Sequence, residues 1–88
     1  MNWKNIVRKQ ERDMTFQGTS YADDNGDSIT FYGSSNTKQA TIPKSELNRA
    51  IDRYDAETGR TTKRLTQITM SHGPASEFTN WAMQNGYK

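Results

Sequence analysis

The chain has 88 residues, of which 31% are hydrophobic and 25% charged. That is one small domain with a thin core. Twelve Lys and Arg against ten Asp and Glu leave a net charge of +2, short of the basic bias of a dedicated nucleic-acid binder. No cysteine is present, which excludes disulfides, thiolate metal sites and thiol nucleophiles.

No apolar run approaches the roughly 18 residues that a membrane span needs. The opening segment offers only the adjacent pair Ile6 and Val7, against the about 7–15 apolar residues of a signal peptide. The expectation is therefore a soluble, unexported protein that works in the cytoplasm and has no membrane partner.

In chain order, residues 2–12 read as an N-terminal helix. Trp3, Ile6, Val7 and Gln10 fall at i, i+3, i+4 and i+7 and form one mainly apolar face. Lys4, Arg8 and Arg12 lie at i, i+4 and i+8 and make a basic stripe beside it.

The next stretch, "YADDNGDSITFYG" from Tyr21 to Gly33, raises the question of a metal loop. A calcium-binding EF-hand loop needs oxygen ligands at positions 1, 3 and 5, glycine at 6 and a glutamate at 12. Started at Asp23, position 6 is Ser28 and position 12 is Ser34. Started at Tyr21, Gly26 is in place but positions 1 and 12 are tyrosines. Both registers fail, and a turn accounts for the residues. Asn25-Gly26 is a strong hairpin signal, because both residues accept the positive φ of a type I′ turn.

That turn sets Ala22 against Ile29 and Tyr21 against Thr30. A second turn at Ser34–Thr37 sets Gly33 against Lys38, Phe31 against Ala40 and Ile29 against Ile42. Side chains alternate along a strand. One face of the resulting meander, residues 19–42, then collects Ser20, Ala22, Ile29, Phe31, Ala40 and Ile42. The other collects Thr19, Tyr21, Thr30, Tyr32, Gln39 and Thr41. The first is core; the second is polar and aromatic.

Pro43 ends the third strand, since it has no N–H for the ladder. Ser45 is suited to cap a helix whose apolar stripe is Leu47, Ala50, Ile51 and Tyr54, stopped at Gly59. The threonines of residues 60–71 favour a fourth strand over 64–70. A last helix opens with Pro74 at its first position, turns Phe78, Trp81 and Ala82 to one side and stops at Asn85-Gly86. The fold class is α+β: a three- to four-stranded antiparallel sheet with N-terminal, middle and C-terminal helices mainly on one face, in a single domain spanning 1–88.

Two local resemblances arise. "ATIPKSELNRAI", Ala40 to Ile51, is similar to the strand-to-helix step of swapped-hairpin AbrB-type DNA-binding regulators, although the Gly-Asp turn that follows there is missing. The order α-β-β-β-α is similar to that of double-stranded-RNA-binding domains, without their basic tract at the start of the second helix. Neither family is assigned.

Catalytic chemistry has little to stand on. His72 is the only histidine, no glutamate is followed two residues on by lysine, and no phosphate-binding glycine loop occurs. No cofactor or metal is expected. The candidate partner-binding residues are Tyr21, Tyr32, Thr30, Gln39 and Thr41, because exposed aromatics on a sheet can fill a pocket in a protein or stack on bases. The candidate basic patch is Lys4, Arg8, Arg12, Arg60, Lys63 and Arg64, although a solvated helix face or loop explains such residues equally well.

The sequence thus favours a non-enzymatic protein that occupies a surface of another macromolecule, with a protein as partner. Small phage or mobile-element accessory proteins, including inhibitors of host or defence complexes, have this character by analogy. A nucleic-acid-binding module is the first alternative. A metal-free ribonuclease toxin built on Tyr54, Arg60, Lys63, Arg64 and His72 is the second.

Overall fold

The computed structural model describes residues 12–33 and 38–87. Three strands, β1 (Ala22–Asp24), β2 (Ser28–Tyr32) and β3 (Gln39–Pro43), form an antiparallel sheet in the order β1-β2-β3. Helix α1 (Lys44–Thr58) leaves β3 without a loop. A 3-10 turn, Leu65–Ile68, precedes helix α2 (His72–Gln84). The predicted N-terminal helix and the turn at Ser34–Thr37 lie outside the described residues, apart from Arg12, which is not helical.

The β2–β3 register is the expected one, with Phe31 opposite Ala40 and Ile29 opposite Ile42. The β1–β2 register is shifted by two residues, so that Ala22 faces Phe31 and Asp24 faces Ile29. The turn residues explain the shift. Asn25 N–H donates to Ser28 O at 2.8 Å, so the central pair is Gly26-Asp27 rather than Asn25-Gly26. Gly26 alone takes a positive φ, 102°, which matches a turn that needs a glycine only at its first central position. Asn25 keeps an ordinary φ. Its side-chain amide instead donates to Ser28 Oγ at 3.1 Å and Thr30 Oγ1 at 2.8 Å. A slip of two leaves the faces unchanged, because the side-chain period is two.

The helices cover one face. Ala22, Ile29, Phe31, Ala40 and Ile42 form a single buried cluster with Leu47, Ala50, Ile51 and Tyr54 of α1, Leu65 and Ile68 of the 3-10 turn, and Phe78, Trp81 and Ala82 of α2. Burying a large apolar side chain of this kind is worth about 1.5–3 kcal/mol. At its centre Phe78 meets Phe31 edge-on at 4.9 Å and Tyr54 edge-on at 5.0 Å between ring centroids. Among the described residues no helix is long and apolar enough to cross a membrane.

Three local expectations need correction. The fourth strand over 64–70 is absent: Arg64 makes only an isolated parallel bridge to Asp13, and the chain then coils. A 3-10 turn has three residues per turn, so Leu65 and Ile68 fall on the same side and both enter the core. Gln67 holds the turn's start, its Oε1 accepting from the N–H groups of Lys63 and Arg64. Ser45 is not the cap of α1. The helix begins at Lys44, and Pro43, at φ −60° and ψ 140°, precedes it without any side-chain cap. Pro74 is the third residue of α2, which begins at His72. A first turn has no intrahelical use for its N–H groups, so the proline fits there as well. Gly59 stops α1 as expected, at φ 74° with its N–H on Asp55 O.

Candidate functional site on the open face of the sheet

Opposite the helices, the sheet presents Asp23, Thr30 and Thr41 in one cross-strand row and Tyr32 beside Gln39 in the next. Asp23 and Gln39 are exposed, Tyr32 and Thr41 half-buried. Thr30 is only 8% exposed although no described helix lies over it. Its hydroxyl is engaged by neighbours: Thr30 Oγ1 sits 2.9 Å from Thr41 Oγ1 and accepts from Asn25 at 2.8 Å. Tyr32 donates its hydroxyl to Asp23 Oδ2 at 2.8 Å. That bond, then burial, raises the Tyr32 pKa above its ordinary value. The phenol is therefore favoured in its neutral, hydrogen-donating form. The row is a surface whose polar side chains are bonded to one another.

Tyr21 lies just outside β1 and across from Tyr32, whose N–H donates to Tyr21 O at 2.9 Å. It precedes β1 in a turn closed by the Thr19–Ala22 bridge, so strand alternation does not fix its direction. Its ring meets His72 edge-on at 6.0 Å. Tyr21 marks the margin of the sheet beside the start of α2, and Tyr32 its middle.

Two of the hairpin aspartates have local side-chain partners, Asp23 in Tyr32 and Asp24 in Lys44. Asp24 pairs with Lys44 at 2.9 Å and accepts from Gly26 N–H at 2.8 Å, and these contacts lower its pKa, Lys44 first. Among the described residues no group of three or more His, Asp or Glu is placed to hold a metal ion.

The basic residues divide. Lys4 and Arg8 lie outside the described residues. Arg12 is turned inward, with its side chain 10% exposed. Nε donates to Thr62 O at 2.7 Å, Nη1 reaches both Asn48 O and Asn48 Oδ1, and Nη2 meets Asp52 at 2.9 Å and Asp55 at 3.4 Å. The stripe expected at this position is corrected accordingly: Arg12 clamps the incoming chain to α1 and to the loop after it. Arg60 forms a two-point pair with Glu77, Nε to Oε2 at 2.9 Å and Nη2 to Oε1 at 2.7 Å. Lys63 and Arg64 are exposed. The clamp was not visible in the sequence, because its partners stand 36 to 50 residues away.

Of the residues considered for metal-free RNA cleavage, Tyr54 and Arg60 line a cleft of about 250 Å³ with Thr61, Thr62, Gln67 and Glu77. Lys63, Arg64 and His72 do not line it. Burial, then Glu77, raises the Tyr54 pKa. Compared with known proteins, the chain matches no family model, no curated protein and no solved structure.

Proposed function

We propose that the protein is a non-enzymatic binding module that uses the open sheet face to occupy a surface of another protein. The observation that supports this best is the hydrogen-bonded row on that face: Tyr32 bonded to Asp23, and Thr30 bridged to Thr41 and Asn25. A half-buried tyrosine among hydroxyl and amide groups is the kind of anchor on which interfaces rely. Gln39 and Thr41 extend the surface along β3, and Tyr21 bounds it at the sheet margin. A role as a phage or mobile-element accessory protein in the cytoplasm, inhibiting a host or defence complex, follows by analogy with small domains of this build.

The nucleic-acid reading keeps Lys63 and Arg64 as contacts but loses Arg12 and Arg60 to internal pairs. Anisotropy of labelled mixed-sequence DNA and RNA separates the two. Protein docking predicts no tight binding even at low salt. Tight binding that weakens steeply with salt would replace it with the nucleic-acid reading.

A further inference from the structure

The described chain holds two Asn-Gly pairs, Asn25-Gly26 at the β1–β2 turn and Asn85-Gly86 after α2. A glycine following asparagine leaves its backbone nitrogen unshielded by a Cβ. That nitrogen can give up its proton to solvent and attack the asparagine Cγ. A C–N bond forms, the Cγ–Nδ2 bond breaks and the amide nitrogen leaves as ammonia, taking a proton from water. The cyclic imide then adds one water at either carbonyl, giving an aspartate or a β-linked isoaspartate. We propose that Asn25 is a site of this spontaneous deamidation in the folded protein, and that the fold protects Asn85.

The two sites are held differently. Asn25 is exposed. Its amide nitrogen is bound by the hydroxyls of Ser28 and Thr30, which water can replace. The Gly26 N–H is held by the Asp24 carboxylate and by no backbone carbonyl, so its release costs the sheet no ladder bond. Asn85 is half-buried and fixed at both ends of its amide. Nδ2 donates to Trp81 O at 2.8 Å, and Oδ1 accepts from Arg53 at 2.9 Å. The attacking nitrogen there, that of Gly86, is bonded to Met83 O at 3.2 Å, and Tyr87 N–H closes on Ala82 O at 3.0 Å. Bringing Gly86 N onto Cγ would break its bond to Met83 O at the end of α2 and disturb the Asn85 bonds to Trp81 O and Arg53.

The product changes the tip of the hairpin. An acid at position 25 has no amide donor for Thr30 and adds a charge beside Asp23, Asp24 and Asp27. The isoaspartate form also lengthens the backbone at a two-residue turn.

The test is peptide mapping by mass spectrometry of the full chain after incubation in mildly alkaline buffer, native and in denaturant. In the native protein the Asn25 peptide should convert several-fold faster than the Asn85 peptide, and the gap should close in denaturant. Asn25→Gln should abolish the product. Native Asn85 converting as fast as Asn25, or Asn25 staying intact while the denatured chain converts, would overturn the proposal.

Discussion

The two faces of the sheet are built from the same three strands and held by different forces. The helix side is held by packing: Phe31 and Phe78 meet edge-on, and Ala22 and Ala40 are fully buried beside them. The open side is held by hydrogen bonds between neighbours: Asp23 to Tyr32, Asn25 to Thr30, Thr30 to Thr41. Packing is sensitive to volume and indifferent to charge state; a surface hydrogen bond is the reverse. The contrast assigns the packing contribution to one face and the exchangeable hydrogen bonds to the other.

The largest effect should come from removing volume on the helix side. Phe31→Ala is expected to cost about 3–5 kcal/mol, because the cavity opens between β2 and α2 where the neighbours cannot collapse. Chemical denaturation checks it; a loss no larger than that of an open-face substitution would end the contrast.

Next is the clamp. Arg12→Ala removes a guanidinium that joins the chain before β1 to α1 and to Thr62. It leaves Asp55, already engaged by Thr62, and Asn48 without that donor. A loss of about 1.5–3 kcal/mol is expected, the range for hydrogen bonds to a charged group, since the partners are only partly buried. Arg12→Lys should recover only part of it, since an ammonium cannot reproduce the planar fork. Full recovery would show that charge alone matters there.

A smaller effect of opposite sign is expected from Thr79→Val. The Thr79 hydroxyl is buried in α2 and has no hydrogen-bond partner, so removing it should raise stability by about 1 kcal/mol. A drop in melting temperature would mean that the hydroxyl is satisfied after all.

The smallest effect is that of acid on two exposed aspartates, one before the sheet and one at the hairpin. Asp13 and Asp24 both have folded-state pKa values lowered below the ordinary 3.8, Asp13 by Thr15 and Asp24 first by Lys44. Their contribution is therefore present above the unfolded value and is lost as pH falls through the lower, folded one. Lys44→Gln should shift the acid titration of Asp24 upward and leave that of Asp13 unchanged, as followed by carboxylate NMR. Both aspartates moving together would contradict the local origin of each shift.

The sheet was legible in the sequence because two-residue alternation runs through Ala22–Ile42 and is anchored by Gly33 and Lys38, which are bonded as expected at 2.8 Å. The pairing of β1 was not. Asn25 satisfies the conformational demand of a turn as well as Gly26 does, and the observed turn, with Gly26 at its first central position and the Asn25 side chain on Ser28 and Thr30, is one of two that the residues allow. In residues 60–71, β-propensity pointed to a strand. The spacing of three between Leu65 and Ile68 won, because both side chains fill the end of the core. At the candidate site, strand parity placed Thr30, Tyr32, Gln39 and Thr41 correctly relative to one another. It could not place Tyr21, which lies in a turn, or show that the Thr30 hydroxyl is bonded to Asn25 and Thr41.

The most direct test of the division between faces is one paired measurement on Tyr32→Ala: the thermal melt, and capture of a partner protein from the cells that carry the gene, each compared with wild type and with Glu77→Gln as a control on the helix side. The account predicts a melting temperature within a few degrees of wild type, together with loss of the partner that both wild type and the control retain. A melt as damaged as that of Phe31→Ala, or a partner still captured by Tyr32→Ala, would contradict it.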